Sequence, residues 1–243
     1  MSTNTNEPEL ELYIIRHGQT YGNLGLERNN VSAEDLYDSL LTEKGMHQAE
    51  LLGKRFRQYP FDAVYASGLR RTLMTASEII NYQPENGAKE IKILPLLTEC
   101  NMSHDYAGYD FASLKKSFPC AVLADGVKET DSMVCHTSGW DDKQQEERAK
   151  KIIGYLRDRY KNGEKVAVTA HAAFNTFLVH ASLGLDPTKV IFDPHFLNTG
   201  VTKIVFFKPG TGRYGIDIQL VYLNDLSHLY ADYPEYGLEQ CYF

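Results

Sequence analysis

Short apolar segments alternate with amphipathic segments along most of the chain, and this alternation restricts the possible folds more than any other feature. The segment LELYII at 10–15 has the apolar, β-branched and aromatic composition of a strand. Comparable runs lie at 61–66, 91–94 and 166–170. Strands that alternate with helices form a largely parallel sheet with helices on both faces. The sequence therefore predicts an α/β fold with three layers, α/β/α.

Capping residues and apolar spacing place the helices between these strands. Thr42 is predicted to cap a helix whose apolar stripe reaches Phe56. Ser67 is predicted to cap the next helix, in which the stripe from Leu69 to Ile80 fixes the direction of Arg71. Further helices are predicted at 111–118, from Asp141 or Asp142 to about 160, and from 172 to about 183.

The end of the chain is predicted to close the sheet with an antiparallel hairpin. Val201 to Phe207 pairs with Tyr214 to Tyr222 across a Pro-Gly-Thr-Gly turn. The 243 residues contain no internal repeat and no credible linker, so we expect a single domain over 1–243. The segment at about 100–140 has weak periodicity and is expected to be a lid-like excursion from that domain.

Composition and charge narrow the possible partners. The net charge of −7 and the pI of about 5.6 argue against a nucleic-acid partner, although a local positive cluster can still bind a small anion. No apolar run approaches the roughly 20 residues of a membrane-spanning helix. The first nine residues are polar and acidic, unlike a signal peptide, so a cytoplasmic location and no membrane contact are expected.

The cysteines and most histidines lack the spacing of metal sites. Neither a C-x-x-C pair nor an H-x-x-x-H pair occurs, so we expect no metal and no cofactor. The cysteines are expected to be free thiols: Cys100, Cys120, Cys135 and Cys241.

Polar residues follow three of the predicted strands at their carboxyl ends. Arg16 and His17 follow the first, Arg71 lies near the start of the helix after the second, and His171 follows the fourth. Open α/β sheets form their ligand crevices at such ends, so these side chains are expected to converge. Two guanidinium groups can neutralise the oxygens of a phosphoryl group without a metal. A single histidine or arginine at a strand end more often has a structural role. The prediction of a phosphate site therefore depends on all four residues occurring together.

Four segments, taken in order, carry a family resemblance. Arg16-His17-Gly18-Gln19-Thr20 with Asn23 fits R-H-G-E-T-x-x-N, except that glutamine replaces glutamate. The other three are Ser67-Gly68-Leu69-Arg70-Arg71-Thr72, Val168-Thr169-Ala170-His171 and Asn198-Thr199-Gly200-Val201-Thr202. Together they resemble the histidine phosphatase superfamily, also called phosphoglycerate mutase-like, over most of the chain.

The resemblance implies a phosphoryl-transfer mechanism centred on His17. One ring nitrogen of neutral His17 attacks phosphorus while a backbone carbonyl holds the other, and a phosphohistidine results. Arg16, Arg71 and His171 surround the phosphoryl oxygens, with His171 expected to be a protonated donor.

The resemblance also implies a carboxylic acid that protonates the leaving group and then activates water. This role maps onto Glu99, with Asp105 and Asp110 as alternatives, because the segment after Glu99 lacks the family's usual glycine and tryptophan pattern. The residues expected to line or border the phosphate pocket are Thr20, Asn23, Gln19 and Ala172.

The activity that the resemblance implies is metal-independent hydrolysis of a small phosphomonoester, with inorganic phosphate as product. Phosphoglycerate mutase-type transfer is the nearest alternative. A mutase needs further basic residues to grip the substrate carboxylate, yet residues 101–140 contain three lysines and no arginine, which favours a phosphatase. A non-catalytic phosphate-binding module and a metal-dependent hydrolase are the more distant alternatives.

Overall fold

A computed structural model describes residues 6–24, 32, 37–104, 106–137, 141–186 and 195–233. Within these residues seven strands form one sheet: β1 (Pro8–Arg16), β2 (Ala63–Ala66), β3 (Ile91–Ile93), β4 (Ala121–Leu123), β5 (Glu164–Ala170), β6 (Val201–Phe207) and β7 (Ile218–Asp225). Their order across the sheet is β4-β3-β2-β5-β1-β6-β7. The pairs from β4 to β1 are parallel, whereas β6 is antiparallel to both of its neighbours.

Helices cover both faces of this sheet, as the α/β/α prediction requires. The α-helices of the described residues are α1 (Glu43–Arg55), α2 (Arg70–Asn81), α3 (Phe111–Ser117), α4 (Asp142–Arg159) and α5 (Ala172–Leu183). Thr42 caps α1 by accepting a hydrogen bond from the Gly45 amide, and Asp141 caps α4. None of these helices combines the length and apolar character needed to cross a membrane.

Alternate residues of β1 enter two separate cores. Leu12 and Ile14 pack with residues of α4 and α5 on one face of the sheet. Tyr13 and Ile15 pack with residues of α1 and α2 on the other face. The period of two along a strand explains this division, and the complete burial of both faces explains why β1 reads as an almost continuous apolar run.

The central strands end together, and this common edge positions the site. Arg16 at the end of β1 pairs with Ala170 at the end of β5, and Ala66 at the end of β2 pairs with Thr169. The residues that follow β1, β2 and β5 therefore emerge side by side, although they are far apart in the sequence.

Three details of the fold differ from the sequence-based predictions. The segment at about 100–140 is not only an excursion, because α3 leads into β4, which extends the sheet beside β3. Strand β7 begins at Ile218 and not at Tyr214, since Arg213–Gly215 forms a 3₁₀ turn. Helix α2 has Leu69 at its N-cap without a side-chain cap, so the prediction that Ser67 caps this helix is wrong.

The described cysteines form no disulfide bonds with one another. Cys100 is buried, and Cys120 and Cys135 are half-buried, all as free thiols. Cys241 lies outside the described residues.

Gly45, in the first turn of α1, has no room for a side chain. An added Cβ would overlap the carbonyl oxygen of Gln19, which follows β1. We expect Gly45→Ala to lower the free energy of unfolding by about 2 kcal/mol, measured by urea titration, because the chain must move to remove the overlap. Gly154→Ala in α4 is the control: nothing lies within 4 Å of its added Cβ, so stability should rise by roughly 0.5–1 kcal/mol. A Gly45→Ala protein as stable as wild type would contradict the close approach.

Candidate active site

The ends of β1 and β5 bring two buried histidines together. His17 directly follows β1 and is 4% exposed, and His171 directly follows β5 and is fully buried. The His17 amide donates to the carbonyl oxygen of Ala170 at 3.1 Å, which continues the strand pairing. The centroids of the two imidazole rings are 5.3 Å apart.

A hydrogen bond to the backbone fixes the tautomer of the His17 ring. Its Nδ1 lies 2.7 Å from the carbonyl oxygen of Gly18. A carbonyl oxygen only accepts hydrogen bonds, so Nδ1 carries the hydrogen and Nε2 keeps the lone pair. Burial, followed by the positive charges of Arg71 and Arg16, lowers the pKa of His17 well below 6.5. The imidazole is therefore neutral at pH 7, with Nε2 available to attack.

Neighbouring elements hold the backbone of His17 and Gly18 in place. The amide of Gly18 donates to the Thr75 hydroxyl oxygen of α2 at 3.0 Å. The side-chain amide of Asn198 and the backbone amide of Thr199 donate to the His17 carbonyl oxygen at 3.0 and 3.3 Å. Contacts from both sides of the loop leave the imidazole little freedom, as positioning of a reacting group requires.

Arg71 enters the site from the first turn of α2. The residue is 9% exposed, and its Nη1 donates to the carbonyl oxygen of Tyr37 at 2.8 Å. The same nitrogen lies 3.8 Å from a carboxylate oxygen of the fully buried Asp38. Asp38 also accepts hydrogen bonds from the backbone amide and Nε of Arg70 and from the hydroxyl of Tyr106. Asp38 therefore fixes Arg71 through an ion pair that no sequence motif predicted.

Arg16 lines a recess at the amino end of α5. Its Nη1 donates to the carbonyl oxygen of Phe196 at 2.7 Å. The recess has a volume of about 380 Å³, and its described walls are Arg16, Ala172, Ala173, Thr176, Phe177, His195 and Phe196. Ala172, predicted to border the phosphate pocket, thus lies in the wall of this recess.

His171 makes its hydrogen bond with Ser67. The two side chains are joined by a contact of 2.9 Å between His171 Nε2 and Ser67 Oγ. Burial, followed by the charge of Arg71, lowers the pKa of His171 well below 6.5. The ring is therefore neutral at pH 7, and the prediction of a protonated His171 is wrong for this state of the site. Its buried Nδ1 has no hydrogen-bond partner among the described residues.

Glu99 lies at the amino end of α5, the helix that begins directly after His171. One carboxylate oxygen accepts hydrogen bonds from the amides of Phe174 at 3.0 Å and Cys100 at 2.9 Å, and the other from the Ala173 amide at 3.4 Å. The amino end of a helix favours a negative group, which accounts for this placement. Glu99 therefore reaches the same edge of the sheet as the histidines.

The two alternatives to Glu99 do not have this placement. Asp110 is exposed and caps α3 by accepting a hydrogen bond from the Ser113 amide at 2.7 Å. That hydrogen bond is the main reason why its pKa is lowered. Asp105 lies outside the described residues. Of the described candidates, only Glu99 contacts the helix that follows His171.

The remaining predicted pocket residues differ in where their side chains point. The Thr20 amide donates to the Asn23 side-chain oxygen at 3.1 Å, which closes a turn after His17. The side-chain amide of Asn198 donates to the same oxygen at 3.2 Å. Gln19 instead accepts a hydrogen bond from the Thr42 hydroxyl at 2.9 Å. Its side chain is thus engaged at the start of α1.

The possible metal ligands of the described residues are their His, Cys, Asp and Glu side chains. Across the described ranges of the chain, no cluster of three or more His, Cys, Asp or Glu side chains is arranged to hold a metal ion. The charged donors at the site are guanidinium groups, which suit the oxygens of an anion and not a cation.

Acid is expected to destabilise the fold because His17 and His171 are buried in neutral form. Their pKa values lie well below 6.5, whereas an unfolded histidine titrates near 6.5. Below that pH the unfolded chain binds more protons, so this stability is full above pH 6.5 and is lost as pH falls. Between pH 6.5 and 5.5 the free energy of unfolding should fall by about 1 kcal/mol per histidine. Urea titrations should show the wild type losing about 1 kcal/mol more than His171→Asn; equal losses would contradict a neutral His171.

Comparison with known proteins identifies a matching protein family. The family model of the histidine phosphatase superfamily (branch 1) matches residues 12–213. The chain is 26% identical over 222 residues to a putative phosphoserine phosphatase 2 of Hydrogenobacter thermophilus, a match that covers 89% of this chain and 96% of that protein. It is 39% identical over 93 residues to a probable phosphoglycerate mutase of Erwinia tasmaniensis, but this match covers only 38% of this chain and 39% of that relative.

Solved structures share the fold over nearly their whole length. A phosphoserine phosphatase of Entamoeba histolytica, crystallised with 3-phosphoglyceric acid, has a TM-score of 0.59 and 25% identity, with 90% of this chain and 99% of that chain covered. A phosphoglycerate mutase of Bacillus anthracis has a TM-score of 0.61 and 22% identity, with 93% and 97% covered. At 22% identity, the similarity to the phosphoglycerate mutase concerns the fold alone.

Proposed function

Because the chain belongs to the histidine phosphatase superfamily, we propose that it is a metal-independent phosphatase that hydrolyses a small phosphomonoester through a phosphohistidine on His17. The observation that carries the proposal is the hydrogen bond from His17 Nδ1 to the Gly18 carbonyl oxygen. It directs the lone pair of a neutral ring away from the loop and into a site that also holds two guanidinium groups.

The first step transfers the phosphoryl group to His17. The Nε2 lone pair forms a bond to phosphorus while the bond from phosphorus to the ester oxygen breaks. Arg16 and Arg71 carry the charge of the peripheral oxygens and hold the group in line. A bound dianion would raise the pKa of the neighbouring His171, so that its unpartnered Nδ1 can donate to the phosphoryl group after taking up a proton.

Glu99 provides the proton transfers of both steps. Protonated Glu99 gives its proton to the leaving oxygen as the first ester bond breaks. In the second step the ionised carboxylate takes a proton from water, whose oxygen bonds to phosphorus while the bond to Nε2 breaks. Inorganic phosphate leaves, and His17 and the protonated Glu99 are restored.

Hydrolysis is preferred over mutase transfer for two reasons. The described part of the 100–140 segment brings no arginine to the site for a substrate carboxylate. The relative that matches along nearly the whole chain is named a phosphatase, whereas the probable mutase matches over less than half of either chain.

Phosphate release in the presence of a chelator tests the proposal. Purified protein with excess EDTA is incubated with p-nitrophenyl phosphate, phosphoserine and 3-phosphoglycerate, and free phosphate is measured. We expect net release from at least one ester, unchanged by EDTA. Interconversion of phosphoglycerates without net release would show a mutase, and activity that EDTA abolishes would show a metal-dependent hydrolase.

A further inference from the structure

Arg148 of α4 is a buried guanidinium beside the segment that carries Glu99. The residue is 5% exposed, and its Nη1 donates to the carbonyl oxygen of Thr98 at 2.8 Å. This oxygen belongs to the peptide bond that joins Thr98 to Glu99. Arg148 therefore holds the backbone immediately before the proposed general acid.

The same guanidinium also contacts the helix turn that holds the Glu99 carboxylate. Its central carbon lies 3.8 Å from the ring centroid of Phe174. The backbone amide of Phe174 donates to the Glu99 carboxylate at 3.0 Å. Arg148 thus contacts both the Thr98–Glu99 peptide and the first turn of α5. The distance between these two parts of the chain determines where the Glu99 carboxylate lies.

The surroundings of Arg148 indicate a positioning role and not an ordinary ion pair. Its Nη2 donates to the Gln145 side-chain oxygen at 2.5 Å, a neutral partner that is itself fully buried. Nη2 also contacts the thiol sulfur of Cys100 at 4.0 Å, so the partners of these hydrogen bonds are all uncharged. Burial of a cation among uncharged partners is costly, so the position of Arg148 points to a contribution other than stability.

We propose that Arg148 is a positioning residue for the acid–base step: it sets the Thr98–Glu99 peptide against the first turn of α5, so that Glu99 reaches the leaving oxygen. The inference rests on the proposed function. It predicts a defect in proton transfer to the leaving group and from water, with little effect on the attack by His17.

A matched pair of esters separates these effects. Phenyl phosphate and p-nitrophenyl phosphate have similar shapes, but phenolate is a much poorer leaving group and needs the proton from Glu99. We expect Arg148→Met to lower kcat/KM for phenyl phosphate about 30-fold, and that for p-nitrophenyl phosphate much less. Since Glu99 also activates water, p-nitrophenol should appear in a burst of one equivalent followed by slow turnover.

Further variants test whether Arg148 acts through Glu99. Glu99→Gln should give the same pattern, and Arg148→Met should add little to it in the double variant, because both act on one step. Arg148→Lys, which keeps the charge without the planar fork, should show a weaker form of the same defect.

Arg157→Met is the control, because Arg157 lies on the same helix, stacks over Phe206 and pairs with Glu9. Its two kcat/KM values should stay near those of wild type. Equal losses on both esters by Arg148→Met, or additive losses with Glu99→Gln, would overturn the role of Arg148. Wild-type protein that cleaves neither ester would instead count against the proposed function.

Discussion

Replacement of His17 by alanine is expected to lower kcat for phosphomonoester hydrolysis about 10⁴-fold or more. In the proposed mechanism this side chain supplies the attacking atom, and the imidazole next to it, His171, has its Nε2 engaged by Ser67. Loss of the ring therefore removes the covalent route altogether. Initial rates with p-nitrophenyl phosphate measure the effect.

Trapping of the intermediate gives a second measurement on the same variant. Wild-type protein mixed with ³²P-labelled substrate and quenched in alkali should carry a label that acid removes, whereas His17→Ala should carry none. His47→Ala is the control, because this half-exposed histidine pairs with Glu50 and Asp232. An alanine variant at position 17 that turns over normally would exclude the proposed nucleophile.

Replacement of Arg71 by lysine is expected to lower kcat/KM by roughly 10³-fold. The guanidinium is buried and held by the Tyr37 carbonyl oxygen and by Asp38, so its fork is set before substrate binds. A lysine keeps the charge, but its three N–H donors lie on one atom and cannot reproduce the planar fork that reaches the phosphoryl oxygens and the Tyr37 carbonyl oxygen at once.

Inhibition by inorganic phosphate measures the same loss without turnover. Its inhibition constant should rise by at least tenfold in Arg71→Lys, because ground-state phosphate uses the same donors. Arg57→Lys, at an exposed arginine just after α1, should leave both quantities unchanged. Unaltered phosphate inhibition in Arg71→Lys would remove Arg71 from the phosphoryl site.

The sequence predicts the residues at strand ends well because their placement depends on local patterns. The apolar run before Arg16 marks β1, which the structure extends to Pro8–Arg16, and the parallel sheet then dictates that the ends of β1, β2 and β5 meet. Strand β4 was not predicted because its sequence, AVL, contains one β-branched residue, whereas the equally short β3, IKI, contains two. Its pairing with β3 depends on distant parts of the chain.

The supporting residues of the site are beyond sequence reasoning for a related reason. Asp38 lies near Arg71, and Arg148 near Glu99, only through tertiary packing. A buried acid or a buried arginine looks the same in a sequence as an exposed one. Ser67 resembled a helix cap because its spacing suits that role, yet His171 is the partner that the fold brings to it.

The protonation state of His171 shows a different limit of prediction from the sequence. Its residue type alone places the pKa near neutrality, but full burial and the nearby guanidinium of Arg71 favour the uncharged ring. The electrostatic field at a position is a sum over neighbours from several elements, so it becomes known only when the fold is known.

The central position of β5 has a consequence for synthesis. Strands β1 and β2 do not pair with each other, because β5 lies between them and pairs with both. A nascent chain that has left the ribosome only as far as α4 has β1 and β2 without the strand that pairs with both, so the facing edges of β1 and β2 can pair with other unfinished chains. The strand ends that carry the site therefore come together only after β5 has been translated.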